Sequence, residues 1–233
     1  MFIAGLQKLT LLDFPGKVAC TVFTAGCNLR CPFCHNSELV LPERNPPRMA
    51  GEELLRFLSR RQGVLEGVCI TGGEPLLQRE LPQLLRSIKD LGFAVKLDTN
   101  GTFPAMLKEL VADGLVDYVA MDIKNSPARY GETVGIPNFD LSGVKESVDF
   151  LLSGAVEYEF RTTVCQQFHD EACFEDIGRW LTGAKRYALQ EFKDSGDILS
   201  GGLTPCTKEQ MHAFLSVVKA RVPGAFLRGE TEH

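Results

Sequence analysis

The 233-residue sequence predicts an α/β fold, a partial (β/α)6 TIM-like barrel of parallel strands forming one domain over 1–233. Three observations predict it. Six short β-like runs alternate with stretches of helical apolar spacing, the pattern of a parallel sheet joined by right-handed crossovers. The polar motifs follow the C-terminal ends of four successive predicted strands, the rim where parallel α/β architectures bind ligands. A hydrophobic content of 44 % supplies one substantial core. Six units are too few to close an eight-stranded barrel, so a curved, partly open one is expected. No G-x-G-x-x-G fingerprint opens the first unit.

The run V-A-C-T-V-F at 18–23 is the first strand, and the loop T-A-G-C-N-L-R-C-P-F-C-H-N at 24–36 follows it directly. A Pro-rich connector at 41–48 leads to a helix over 51–61, with Leu54, Leu55 and Leu58 at helical spacing. The strand at 68–71 ends in Gly72-Gly73-Glu74-Pro75. A helix over 79–91 carries Leu81, Leu84, Leu85 and Ile88 on one face, and Gly92 closes it. The strand at 94–97 ends in Asp98-Thr99-Asn100-Gly101 and is followed by a helix over 104–112. The strand at 116–121 ends in Asp122-Ile123-Lys124. The stretch 125–138, with Pro127, Gly131, Gly135 and Pro137, reads as a long surface loop. A helix over 141–152 starts behind Asp140 as a cap. Strict alternation marks a strand at 157–164, then come a helix over 174–181, a strand at 187–192 and a helix over 208–221. The tail 229–233 is expected to fray.

A net charge of −5 argues against a nucleic-acid partner, which wants a basic face. The first 17 residues lack the apolar core of a signal peptide, and no run reaches bilayer length, so a cytoplasmic protein without a membrane partner is expected. Eight cysteines in such a chain point to metal or redox work more than to a disulfide framework. Cys20 and Cys69 lie inside apolar runs and read as small core residues. Cys165, Cys173 and Cys206 are widely scattered and read as structural.

Cys27, Cys31 and Cys34 form C-x3-C-x2-C on a turn-rich loop, so their thiolates can converge on one centre. Zinc sites usually have four protein ligands, and iron–sulfur clusters usually take four cysteines. The next cysteine, Cys69, is a whole supersecondary unit away. A [4Fe–4S] cluster held by three cysteines leaves one iron open to a small molecule. The alternative is a three-Cys, one-His zinc with His35, whose adjacency to Cys34 strains a tetrahedral site.

The other rim motifs each suit a ligand. Gly72-Gly73 allows close backbone approach, although such a sequence is also an ordinary turn. Asp98 and Asp122 can fix an ammonium group or a small cation. Lys124 can pair with a carboxylate, and Asn100 can hydrogen-bond hydroxyls. The segment 98–101 can also be a plain Asx turn. Arg161 points into the same cavity or sits in a solvated ion pair. His169 and His212 read as ordinary surface or helix residues, and Trp180 as a core aromatic.

The cysteine motif, Gly72-Gly73-Glu74 and the partial-barrel alternation resemble the radical S-adenosylmethionine (SAM) enzymes over nearly the whole chain. The narrower features L-L-D-F-P-G-K at 11–17, C-P-F-C-H-N at 31–36, D-T-N-G at 98–101 and M-D-I-K at 121–124 are similar to the glycyl-radical-enzyme activases, most of all those of anaerobic ribonucleoside-triphosphate reductase. The resemblance implies a radical SAM core, one [4Fe–4S] cluster on Cys27, Cys31 and Cys34, and SAM bound to the open iron. One electron from a flavodoxin- or ferredoxin-type donor then cleaves SAM to a 5′-deoxyadenosyl radical, which abstracts hydrogen from a glycine of the partner enzyme. It further implies Gly72, Gly73 and Glu74 near the methionine amino group, Phe33 by the adenine, and Asp98, Thr99, Asn100, Asp122, Lys124 and Arg161 around SAM's polar groups or a monovalent cation.

Two departures stand out. The sixth strand lacks the late histidine of some activases, whose part falls either to Gln190 or to no residue. The stretch 39–67 holds no cysteine, so a single cluster is expected. Alternatives are an activase of another glycyl radical enzyme such as pyruvate formate-lyase, a small-molecule enzyme like 7-carboxy-7-deazaguanine synthase, or a structural metal module. The loops 125–138 and 193–204 are the candidate docking face.

Overall fold

In the computed structural model, which describes residues 2–41, 48–194, 196 and 198–229, nine strands share one sheet. They are β1 (Phe2–Thr10), β2 (Ala19–Thr24), β3 (Met49–Ala50), β4 (Gly67–Gly72), β5 (Ala94–Thr99), β6 (Tyr118–Asp122), β7 (Glu157–Val164), β8 (Tyr187–Glu191) and β9 (Ala225–Leu227). Their order is β3-β1-β2-β4-β5-β6-β7-β8-β9. From β2 to β9 every neighbouring pair is parallel, while β1 pairs antiparallel with both β2 and β3. The sheet therefore has two ends, as expected of a barrel that does not close.

Parallel strands buried on both faces read as continuous apolar runs, and Val68, Cys69 and Ile70 of β4 are fully buried. The main crossover helices are α2 (Gly51–Ser59), α3 (Leu81–Asp90), α4 (Pro104–Ala112), α6 (Ser142–Leu152), α7 (Glu171–Trp180) and α8 (Lys208–Lys219), with two single turns, α1 (Ser37–Val40) and α5 (Tyr130–Thr133). Leu81, Leu84, Leu85 and Ile88 of α3 all face the core. Asp140 accepts the Ser142 amide at 2.9 Å, ahead of α6. Thr207 and Gln210 form a reciprocal capping box at the start of α8. Among the described residues no helix is long and apolar enough to cross a membrane.

The six predicted strands are all present, four of them reaching one or two residues further toward the site. The first strand, β1, was not expected. Its turn into β2 is the L-L-D-F-P-G-K stretch, where Thr10 accepts the amides of Leu12 and Asp13, and Phe14 packs against Gly67. That motif lies at the start of β2, opposite the cysteine loop.

Two expectations need correction. The stretch 125–138 is not a surface loop: it folds into a 3-10 turn (Pro127–Arg129) and α5, burying Asn125, Ser126, Tyr130, Thr133 and Val134. Asn125 is held there by bonds to Thr133 and the Phe168 carbonyl, which satisfy its buried amide. His169 is not a surface residue but is buried, with Nε2–H donating to the Lys124 carbonyl at 2.9 Å and Nδ1 accepting the Cys165 amide. Burial pushes its imidazole below the usual value, toward the neutral form. The connector at 41–48 and the tail at 229–233 fall largely outside the described residues.

Candidate functional site

The C-terminal ends of the parallel strands surround a cavity of about 260 Å³. The loop after β2 contributes Cys27, Cys31, Phe33 and Cys34; β4 ends in Thr71, Gly72 and Gly73; β5 ends in Asp98, Thr99 and Asn100. Asp122 and Lys124 arrive from β6, Arg161 and Thr163 from β7, and Gln190 from β8. Four strand ends were expected to converge, and six do.

The cysteine loop is tied to its neighbours by backbone hydrogen bonds. Gly73 and Glu74 donate their amides to the carbonyls of Thr24 and Gly26 at 2.9 and 2.8 Å, and Arg30 donates to Val134 at 2.9 Å. Asn100 Nδ2 donates to Asn28 at 3.0 Å, while Asn28 Nδ2 donates to Thr102 at 2.9 Å. The 98–101 stretch is thus more than a plain turn, because it braces the loop. Cys27 Sγ accepts the Leu29 amide at 3.4 Å. Burial pushes the Cys31 thiol up to about 12, an effect opposed by the Lys124 ammonium. Loading metal on it must therefore release a proton.

Cys27, Cys31 and Cys34 line the same cavity, yet among the described residues no three His, Cys, Asp or Glu side chains meet at a point suited to one metal ion. Three cysteines are one ligand short of a tetrahedral zinc site and match the donor type of a cluster in which each cysteine binds a different iron. His35 stacks on Phe192 with ring centres 5.4 Å apart, which favours an aromatic wall over a fourth ligand.

Glu74 departs from its expected place. Its carboxylate is 0 % exposed and lies behind the cavity wall, accepting the Asn100 amide at 2.7 Å, the Thr99 hydroxyl at 2.7 Å and the Leu76 amide at 3.1 Å. With these donors on both oxygens it braces the end of β5 and does not face a ligand. Burial, only partly offset by those donors, pushes its carboxyl up to about 7. A carboxyl raised from about 4.5 to about 7 binds its proton more tightly when folded, so its contribution weakens the fold as pH rises through that window. Relative to Glu74→Gln, the wild type should lose about 3 kcal/mol between pH 4.5 and 7 in urea titrations. A stability difference that stays constant across this window would contradict the assignment.

The charged residues form one linked set. Arg161 Nη1 pairs with Asp98 at 2.9 Å and its Nε with Asp122 at 3.0 Å, while Lys124 pairs with Asp122 at 2.9 Å. Lys96, on the same face of β5 as Asp98, pairs with its other oxygen. Arg161 was expected either in the cavity or in a solvated pair; it is in the cavity and in partly buried pairs. Burial alone would raise Asp98, but Arg161 and Lys96 outweigh it and hold the carboxyl below its usual range. Asp122 is likewise held low by Arg161 and Lys124 against burial.

Phe33 is buried against Phe168 with ring centres 5.8 Å apart. Lining residues that sequence reasoning passed over include Thr71, Thr163 and Asn36. For Thr163 the signal was available: it alternates in step with Arg161 on β7.

The sequence model of the Radical SAM superfamily matches residues 21–181. A protein of Methanocaldococcus jannaschii, named as a candidate glycyl-radical enzyme activating enzyme, is 34 % identical over 202 residues, covering 84 % of this chain and 82 % of that one. A 7-carboxy-7-deazaguanine synthase of Hyperthermus butylicus is 43 % identical over 97 residues, which is 41 % of this chain and 40 % of that enzyme. Among solved structures, a domain of pyruvate-formate lyase-activating enzyme from Bacteroides vulgatus superposes with a TM-score of 0.58 at 17 % identity, covering 70 % of this chain and 99 % of that one. This last likeness is one of fold.

Proposed function

The chain belongs to the radical SAM superfamily, and on that premise we propose that it is an activase that installs a glycyl radical in a partner enzyme, with anaerobic ribonucleoside-triphosphate reductase the first candidate. The observation that carries this reading is the division of the cavity. Its charged groups, Asp98, Asp122, Lys124 and Arg161, are paired with one another, whereas β7 and β8 offer neutral Thr163 and Gln190 and the cysteine loop offers neutral Asn36. A peptide backbone brings neutral amides and carbonyls and is matched by neutral partners. A charged small substrate would want an unpaired ion.

In this reading Cys27, Cys31 and Cys34 hold a [4Fe–4S] cluster, which with SAM supplies one-electron cleavage and hydrogen-abstraction chemistry when bound. Gly72 and Gly73 present backbone to the methionine amino group, and Phe33 flanks the adenine. Asp98, Thr99, Asn100, Asp122, Lys124 and Arg161 orient SAM's polar groups. Glu74 and Asn28 keep the two loops in register. Gln190 occupies the place of a late-barrel histidine.

Of the two candidate docking segments, we take the loop at 193–204 first. Ser200 donates its amide to the Pro32 carbonyl at 3.1 Å, which sets this loop beside the cysteines. Lys193 and Asp194 are exposed; Ser195 and Asp197 lie outside the described residues. Replacing Lys193 and Asp194 with alanine should weaken partner activation by about tenfold, the loss of two rim charges, while leaving uncoupled SAM cleavage intact. Equal loss of both would remove the loop from the interface.

The test of the function is electron paramagnetic resonance on the anaerobically reconstituted, reduced protein with SAM and the reductase. A glycyl doublet on the reductase establishes chemistry and partner together. Cleavage of SAM with no glycyl radical on the reductase or on pyruvate formate-lyase would instead favour a small-molecule substrate, the reading that the deazaguanine synthase similarity supports.

A further inference from the structure

The resemblance to activases brings with it a monovalent cation at Asp98 and Asp122, and the donor set here does not fit one. Each of the four carboxylate oxygens already has a cationic partner: Lys96 and Arg161 on Asp98, Arg161 and Lys124 on Asp122. The linked set holds three cations and two carboxylates, an excess of one positive charge. A further cation would raise that to two in a partly buried setting, where repulsion is screened less than at the open surface. Of the further carboxylates nearby, Glu74 is turned away onto amide and hydroxyl donors, and Glu159 is paired with Arg228.

Lys96 is the residue that changes the balance. It is 1 % exposed and sits mid-strand in β5, two residues before Asp98 and opposite Cys69 on β4. Its ammonium reaches Asp98 and lies 3.8 Å from Cys69 Sγ. A buried lysine is costly unless paired, and this one spends its charge behind the wall of the cavity without lining it. Without it the set would be neutral, and Asp98 would have one oxygen lacking a cation.

We propose that Lys96 is a built-in counter-cation, a positioning residue that holds Asp98 in the place a bound alkali ion would otherwise hold it, so that SAM binding by this chain is independent of monovalent cations. The inference rests on the superfamily membership and on the cavity as the SAM site, but not on the identity of the partner.

The test uses the reconstituted protein in buffers of equal ionic strength whose cation is potassium, sodium or tetramethylammonium. It measures SAM affinity by calorimetry, uncoupled SAM cleavage, and the melting temperature of the cluster-free protein. The wild type should show the same affinity within about twofold in all three. Lys96→Met should bind SAM on the order of tenfold more weakly in tetramethylammonium, the loss expected for a charged hydrogen bond. Potassium or sodium should restore most of that binding and raise the melting temperature of the variant but not of the wild type. A tenfold gain in wild-type affinity on adding potassium or sodium overturns the proposal. A loss in Lys96→Met that no monovalent cation restores also overturns it, since it would make Lys96 a structural residue. If Lys96→Met fails to fold, the wild-type arm alone decides. No arm contains a partner protein, so failure of the activase reading leaves the result untouched.

Discussion

Cys31→Ala should bring reductive SAM cleavage to background, while Cys173→Ala should keep it within about twofold of the wild type, because the two sulfur hydrogen bonds it deletes, worth about 1 kcal/mol each, lie away from the cavity. Both thiols are buried, and both are raised by that burial, so neither exposure nor acidity separates them. Geometry does. Cys31 shares its cavity with Cys27 and Cys34, whereas Cys173 lies in α7, accepting from Arg129 at 3.0 Å and facing the Phe168 carbonyl at 3.7 Å. Iron and sulfide content and the reduced-state paramagnetic signal, measured before activity, read the ligand directly. A Cys31→Ala protein carrying a fully competent cluster would overturn the assignment, and so would loss of cluster in Cys173→Ala.

The strand–helix units could be read because parallel strands are apolar on both faces and end abruptly in polar motifs. Those endings also gave the rim, since the C-terminal ends of neighbouring parallel strands must lie side by side. What the pattern could not give was the direction of a polar side chain behind the rim. Glu74 stands in a run with Gly72 and Gly73, yet its carboxylate turns to Thr99 and Asn100, 25 and 26 residues on. Lys96 reads as one polar residue in an otherwise apolar strand, and only the placement of Asp98 on the same face makes it a partner. The first strand escaped because its pairing with β2 is broken by two irregularities, so neither face keeps a period of two. The stretch 125–138 has turn residues in loop-like number, and the buried bonds of Asn125 decide its fold. Its docking on the cysteine loop is a contact of high sequence separation that local composition does not report.

Gly73→Ala should uncouple the cysteine loop from β4 and lose most of the cluster while the sheet remains folded. A Cβ at position 73 would lie 2.0 Å from the Gly26 carbonyl oxygen, and backbone cannot swing aside as a long side chain can. The same carbonyl accepts the Glu74 amide, and the Gly73 amide donates to Thr24, so relief of the clash pulls apart two hydrogen bonds between the loop and the strand end. Overpacking of this kind costs roughly 1–3 kcal/mol or more, and here the strain is focused on the loop that carries three ligands. Gly92→Ala is the matched comparison. Gly92 has a φ of +87° with no atom within 4 Å of a built Cβ, so that alanine meets a backbone penalty of about 1–2 kcal/mol and no clash. Gly92→Ala should lower the melting temperature yet reconstitute with wild-type iron. Gly73→Ala should retain its far-ultraviolet circular dichroism and bind less than about a tenth of the iron, as expected when metal ligands lose their supporting contacts. Full iron loading in Gly73→Ala would show that the approach of Gly73 to Gly26 is not what holds the three cysteines in place.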